Sequence, residues 1–246
     1  MESLNNKVAF VTGGSRGIGK EIVRKLASEG AAVAFTYNNS EEIANILAKE
    51  LSTPNVKVIA IKADNGDAQS IASAIKKTYE SFGRLDILVN NAGIAVLETL
   101  PNITLDDFDR TIAVNVKGVF VAMQTGAELM SEGGRIINIG STAADKNGFP
   151  GTSIYAMSKA AVAALTRGIA RDLGPRGITV NTIQPGPIAT DMNPENSDFA
   201  SMLKTTMALG HYGTTADISE LVAFLASPAS KFITGTSINI DGGLSS

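Results

Sequence analysis

Cysteine and tryptophan are absent from this 246-residue chain, and histidine occurs once, at His211. Without cysteine there can be no disulfide, thiolate nucleophile, iron–sulfur cluster or Cys-based zinc site. One histidine excludes a multi-histidine metal site, and any His-based catalytic dyad would have to use His211. Charge of either sign is sparse: 21 Lys and Arg stand against 24 Asp and Glu, a net −3. That balance makes no basic field for a phosphate backbone and argues against nucleic-acid binding. Long apolar runs are missing as well. The first, Val8–Val11, is too short for a signal peptide or a membrane span, so a cytoplasmic protein with no membrane partner is expected. Chemistry must therefore run on Ser, Thr, Tyr, Lys, Asn, carboxylates or a bound cofactor.

Glycine is plentiful, at 24 residues, in a chain only 18% charged. This combination suggests a well-buried chain with several tight backbone positions. Apolar strand-like runs at Lys7–Val11, Ala32–Tyr37, Val56–Lys62, Leu85–Val89, Arg135–Gly140, Gly177–Ile183 and Ser237–Ile240 alternate with helical spacing. The helices are expected over Gly17–Ser28, from Ser40 as N-cap to Leu51, from Asp67 to Phe82, over Leu105–Met130 behind Thr104, over Ser153–Leu173 and over Ala216–Ala226. Between Ile183 and Ala216 the chain reads as irregular. Continuous apolar strands between amphipathic helices predict a parallel sheet covered on both faces. No linker, repeat or low-complexity segment divides the chain. Residues 1–246 are thus expected to form a single α/β domain, a Rossmann fold with a doubly wound seven-stranded parallel sheet.

The first strand runs into Thr12-Gly13-Gly14-Ser15-Arg16-Gly17-Ile18-Gly19, and a helix follows. Glycines let the backbone turn tightly and let a diphosphate approach, while a helix N-terminus offers free N–H groups and partial positive charge. The spacing is neither G-x-G-x-x-G nor a Walker loop, and a merely tight connection is the alternative reading. In NAD-binding sheets an acid at the end of the second strand holds the ribose hydroxyls. Here Phe35-Thr36-Tyr37-Asn38-Asn39-Ser40 carries none, and Glu41 already belongs to the next helix. Arg16 could pair with a 2′-phosphate or remain a solvated loop side chain. Together the two features point to NADP. Further on, Tyr155 and Lys159 share a helix face at i, i+4. An ammonium ~4 Å away at an effective dielectric of ~20 is worth ~4 kcal/mol, enough to pull a phenol toward a usable acid–base range before desolvation opposes it.

With Asn90-Asn91-Ala92-Gly93, Asn115, Ser141, and Pro185-Gly186 with Thr190, these motifs make the whole chain resemble the classical short-chain dehydrogenases/reductases. The overall pattern is most similar to the 3-oxoacyl-carrier-protein reductase and carbonyl reductase branch. The resemblance implies that Tyr155 protonates the substrate oxygen and Ser141 holds it. Lys159 binds the nicotinamide ribose and lowers the tyrosine pKa. Asn115 interrupts the long helix and holds a water linking Lys159 to solvent. Asp64 accepts from the adenine amino group, though it could instead cap the next helix. Asn91, Ala92 and Gly93 line the adenosine ribose, and Ile188 and Thr190 meet the carboxamide. Gly13, Ser15, Arg16, Gly17, Ile18, Gly19, Tyr37, Asn38, Asn65, Tyr155, Lys159, Pro185 and Gly186 complete the implied NADP-binding set; no metal is implied. Thr142 could replace Ser141 as the hydroxyl, but counting from the preceding strand favours Ser141.

A lid over about residues 187–212, with Met192, Phe199, Met202, Leu203 and Met207, is expected to cover the substrate, about half of these facing it. The loop Ala143–Gly151 and the turn Ile94–Leu97 would form the remaining wall. Asp145 and Lys146 read as solvated loop charges. Ser131-Glu132-Gly133-Gly134 lacks the basic character expected where an acidic carrier protein docks, leaving Arg171 and Arg176 as possible contacts. A free ketone or 3-oxo ester is therefore preferred as substrate. His211, in a loop, reads as structural rather than catalytic. The run Pro185–Asp191 followed by Asn193-Pro194 also resembles a branch proposed to bind cyclic dinucleotides. A nucleotide-binding regulator without turnover is the rival reading. Apolar residues on more than one face of the two long helices suggest burial against a partner, and the resemblance implies a homotetramer.

Overall fold

A computed structural model of the chain describes residues 4–146 and 148–246. Its strands are β1 (Val8–Val11), β2 (Ala32–Tyr37), β3 (Val58–Lys62), β4 (Ile87–Asn90), β5 (Arg135–Ile139), β6 (Thr179–Pro185) and β7 (Ser237–Ile240). All pair in parallel, in the order β3-β2-β1-β4-β5-β6-β7. The helices are α1 (Gly17–Ser28), α2 (Glu41–Leu51), α3 (Ala68–Phe82), α4 (Leu105–Ile112), α5 (Gly118–Leu129), α6 (Ser153–Leu173), α7 (Asp198–Lys204) and α8 (Thr215–Ala226).

Alternate strand residues feed two cores, because successive side chains leave a strand on opposite faces. Ala9, Val11, Val33, Phe35, Val89 and Ile137 pack with Ile22 and Leu26 of α1, Leu47 of α2 and Val222 of α8. Phe10, Ala34, Leu88, Ile136 and Val180 pack with Ile75 of α3, Met123 of α5 and Val162 of α6. The central strands β1, β2, β4, β5 and β6 are buried on both faces, which is why they read as largely continuous apolar runs rather than alternating ones. Phe10 and Phe35 are fully buried, each contributing roughly 2–3 kcal/mol of transfer free energy. The sheet proceeds one way from β1 through β2 to β3 and the other way from β4 onward. Loops leaving the ends of β1 and β4 therefore diverge and open a crevice.

Three details differ from the expected elements. The stretch after β6 is not wholly irregular: Ser197 caps the short helix α7 by accepting from Ala200 N–H. Seven residues carry too little periodicity to reveal it. Ser40 precedes α2 but makes no side-chain cap bond. The long helix is split by a π turn, Ala113–Lys117, in which Gly118 N–H reaches back to Ala113 O. Asn115 sits in that turn, as the resemblance implied. Among the described residues no helix is long and apolar enough to cross a membrane.

Candidate active site

A cleft of ≈ 630 Å³ occupies the crevice. Every site residue expected from the sequence lines it except Asn115, which lies just behind the wall. The glycine loop is held rigidly. Gly13 N–H donates to Thr36 Oγ1 and Gly14 N–H to Thr36 O, each at 2.9 Å. Asn91 Nδ2 donates to the carbonyls of Thr12 and Gly13 at 3.0 Å, while Thr12 Oγ1 accepts from the N–H groups of Asn91 and Ala92. Asn91 is thus a clamp on the loop as well as part of the wall. Gly13 (φ +67) and Gly17 (φ +53) need left-handed backbone, whereas a Cβ on Gly14 would lie 2.6 Å from Phe35 Cβ and one on Gly19 would overlap Gly13 O. Arg16, at the N-cap of α1, makes no capping bond, and no acid occupies the first turn. The orphan N–H groups and positive end of α1 are left for an anion, so the residues present fit a dinucleotide diphosphate.

At the adenosine end Asp64 is an ion-pair partner rather than a helix cap. Arg110 Nη2 reaches its two oxygens at 3.0 and 3.1 Å, and Gly66 N–H donates to it at 2.8 Å. Burial alone would raise its pKa, but the Gly66 N–H and the guanidinium outweigh burial and hold it below the usual carboxylate value. The sequence carried no sign of Arg110; only the approach of α4 to the β3 loop brings it there. Tyr37 is buried, and burial followed by the charge of Glu41 raises its phenol, whose hydroxyl also meets the Glu41 carboxylate. Glu41 is engaged in this way and does not line the cleft, while the exposed Arg16 has no side-chain partner among the described residues.

At the other end Ser141, Tyr155 and Lys159 converge. Ser141 Oγ accepts from Ala143 N–H at 3.2 Å and meets the Tyr155 hydroxyl. Burial raises the Tyr155 phenol, and the Ser141 hydroxyl opposes this. Lys159 Nζ donates to Ile139 O at 2.9 Å and lies 5.8 Å from the Tyr155 ring centroid; burial lowers its pKa to about 8. The expected lowering of the tyrosine pKa by Lys159 is therefore not what the free protein displays: desolvation of both groups dominates. Thr142 Oγ1 is turned to Pro185 O at 3.3 Å, leaving Ser141 as the cleft hydroxyl. Beneath this end Asn90 donates to Asn138, Asn138 to Thr166, and Thr166 shares a 2.7 Å bond with Thr182. This buried polar line had no periodic signal in the sequence.

Of the five apolar lid residues only Met192 lines the cleft. Leu203 and Met207 instead bury with Ala200 and Tyr212 in a third cluster that Phe149 joins, and Phe199 meets Phe149 edge to face at 5.3 Å. The lid is thus mainly self-packed. Ile94, Ala95 and Leu97 line the cleft as expected; Asn147, in the other expected wall, lies outside the described residues. Lys146 donates to Leu244 O at 3.1 Å. Arg176 is consumed internally, donating to the Ala127 and Met130 carbonyls at the end of α5. His211 is exposed, its Nδ1 2.9 Å from Tyr212 O, and is not part of the cleft.

This geometry defines a nucleotide-binding Rossmann protein with a Ser–Tyr–Lys constellation. Residues 13–245 match the family model described as "Enoyl-(Acyl carrier protein) reductase". The chain is 41% identical over 98% of both chains to the cyclic-di-GMP-binding biofilm dispersal mediator protein of Escherichia coli K12. It is 42% identical to the 3-oxoacyl-(acyl-carrier-protein) reductase FabG of Staphylococcus aureus Mu50, over 97% of this chain and 98% of that one. Among solved structures, a short-chain dehydrogenase/reductase from Serratia marcescens BCRC 10948 superposes with a TM-score of 0.97 at 55% identity. A short chain dehydrogenase from Burkholderia cenocepacia J2315, in complex with NADP, gives 0.97 at 47% identity; each comparison covers 99% of both chains. The chain belongs to the short-chain dehydrogenase/reductase family of oxidoreductases.

Proposed function

We propose that the chain reduces a ketone, either a free carbonyl compound or a 3-oxo ester, to a secondary alcohol with NADPH. The observation that carries this reading is the convergence of Ser141, Tyr155 and Lys159 in one cleft with the uncapped N-terminus of α1. The cofactor would supply the hydride. Its diphosphate suits the glycine loop, its 2′-phosphate Arg16, its adenine Asp64, and its nicotinamide ribose Lys159. Ser141, whose oxygen already accepts from Ala143 N–H, donates its proton to the substrate oxygen, a bond that strengthens as charge develops there. Tyr155 delivers the proton to that oxygen. Asn115 is assigned the water path that returns a proton through Lys159. Ile94, Ala95, Leu97 and Met192 offer an apolar wall to the rest of the substrate.

A free substrate is preferred to a carrier-bound one because Arg176 is spent on helix carbonyls and Glu132 stands before β5. A second reading, a cyclic dinucleotide binder without turnover, is favoured by the Pro185–Asp191 run and by the E. coli relative's name. The test is NADPH oxidation by wild type and Tyr155→Phe over a panel of ketones, diketones and 3-oxo esters, with NADH beside it. Loss of the general acid is expected to lower turnover by about 10²–10⁴, with NADPH preferred and its binding retained. Dinucleotide affinity without ketone-dependent oxidation would move the assignment to the second reading.

A further inference from the structure

The π turn alters which donor satisfies which carbonyl in the middle of the long helix. In an unbroken α-helix Gly118 N–H would donate to Val114 O. Here it donates to Ala113 O, which releases the Val114 carbonyl from the ladder. That carbonyl accepts at 2.7 Å from the side-chain Nδ2 of Asn65, in the loop after β3. The approach is close: a Cβ on Gly118 would overlap Asn65 O and lie 2.7 Å from Asn65 Nδ2. Asn65 is buried, and its Oδ1 has no hydrogen-bond partner among the described residues. A buried amide satisfied at one end only is costly, so filling space does not account for it.

The next residue along the turn, Asn115, is also buried. Its Oδ1 accepts from Ile94 N–H at 2.9 Å, and its Nδ2 donates to Ile94 O at 2.8 Å and to Ser158 Oγ at 3.0 Å. Ser158 Oγ in turn donates to the Tyr155 carbonyl at 2.7 Å. A Cβ on Gly93 would meet Lys159 Nζ at 3.3 Å and Asn115 Oδ1 at 3.4 Å, so both groups close on the same spot of the cleft wall.

We propose that Asn65 is a positioning residue: by supplying the donor that Gly118 withholds from Val114, it holds the π turn that sets Asn115 against Ile94, Ser158 and the Tyr155–Lys159 end of α6. Arg110, on the same helix before the turn, grips the neighbouring Asp64. The loop 64–66 is therefore a clasp joining the adenine end of the cleft to its carbonyl end. The kinetic part of this inference rests on the reductase reading; the structural part does not.

Asn65→Leu keeps the size and removes the donor; Asn65→Asp keeps the shape and turns the donor into an acceptor. In the free protein, amide hydrogen exchange over residues 113–118 is expected to quicken about tenfold or more in both variants, with the sheet unchanged. With a ketone that wild type reduces, kcat is expected to fall about tenfold or more, a larger factor than any rise in the NADPH Kd read by its fluorescence. The melting temperature should fall only slightly in Asn65→Leu, since the Val114 carbonyl loses its donor but the unpaired Asn65 Oδ1 is removed with it. A lowered melting temperature with unchanged kcat and exchange marks Asn65 as merely structural and overturns the proposal. A weaker NADPH Kd with unchanged kcat and exchange marks it as an adenine contact and overturns it equally. If wild type reduces no ketone, the reductase reading fails, and exchange in the free protein alone decides the clasp.

Discussion

Lys159 sits with its ammonium out of water, donating to one carbonyl, Ile139 O. Burial takes its pKa from the usual 10.5 to about 8. The unfolded chain therefore binds more protons than the folded one between about pH 8 and 10.5, and stability contributed by this site rises with pH across that window. Below pH 8 the full cost of the buried charge is present. Lys159→Met is expected to raise the unfolding free energy at pH 7 by up to about 3 kcal/mol and to abolish turnover. Denaturant melts at pH 7 and pH 10 check this, the gain shrinking at the higher pH. Stability gained together with turnover lost would mark Lys159 as placed for chemistry rather than for folding. Asp64 behaves in the opposite way: its depressed pKa keeps it ionised, and Arg110 keeps it aimed at the cleft.

The glycine loop and α1 act as one element. Each glycine answers a different demand, and only some concern ligand. At Gly17 the backbone is left-handed but the space is open, with Thr190 Cγ2 the nearest atom at 3.8 Å. At Gly19 the space itself is taken by Gly13 O. Gly17→Ala is expected to cost about 1–2 kcal/mol of strain and to keep NADPH binding. Gly19→Ala should cost about 3 kcal/mol through overpacking and should lose NADPH binding, because the loop must open. Thermal melts with and without NADPH distinguish the two. The turn sequence made the loop visible and the Asn90–Gly93 motif marked Asn91; that Asn91, just after β4, and Thr36 of β2 anchor the loop could not be read from their own runs.

Across the whole molecule the central strands are buried on both faces, yet apolar side chains remain on the outer helices. Phe108 of α4, Phe120 of α5 and Met157 of α6 are more than a third exposed, and Phe232, ahead of β7, is 98% exposed. These surfaces suit burial against further copies of the chain, as a tetramer would provide. Light scattering at micromolar concentration is expected to give four times the chain mass, and Phe120→Glu to lower it. A monomer mass for wild type would remove the tetramer.

Element order, the parallel sheet, the glycine loop and the Tyr155–Lys159 pair were legible in the sequence from local pattern, whereas the other residues around the cleft came from the resemblance to the short-chain dehydrogenases/reductases. Apolar runs mark strands buried on both faces, glycines mark tight turns, and an i, i+4 pair marks a helix face. The long-range pairings were not legible. Arg110 on Asp64, Asn65 on Val114, and Arg176 on the carbonyls of α5 link residues tens of positions apart, and no periodicity encodes a partner across a sheet. The balance of pKa at Tyr155 and Lys159 was decided by tertiary structure as well: spacing places an ammonium near a phenol, but desolvation depends on what closes over them, and that is known only once the chain has packed.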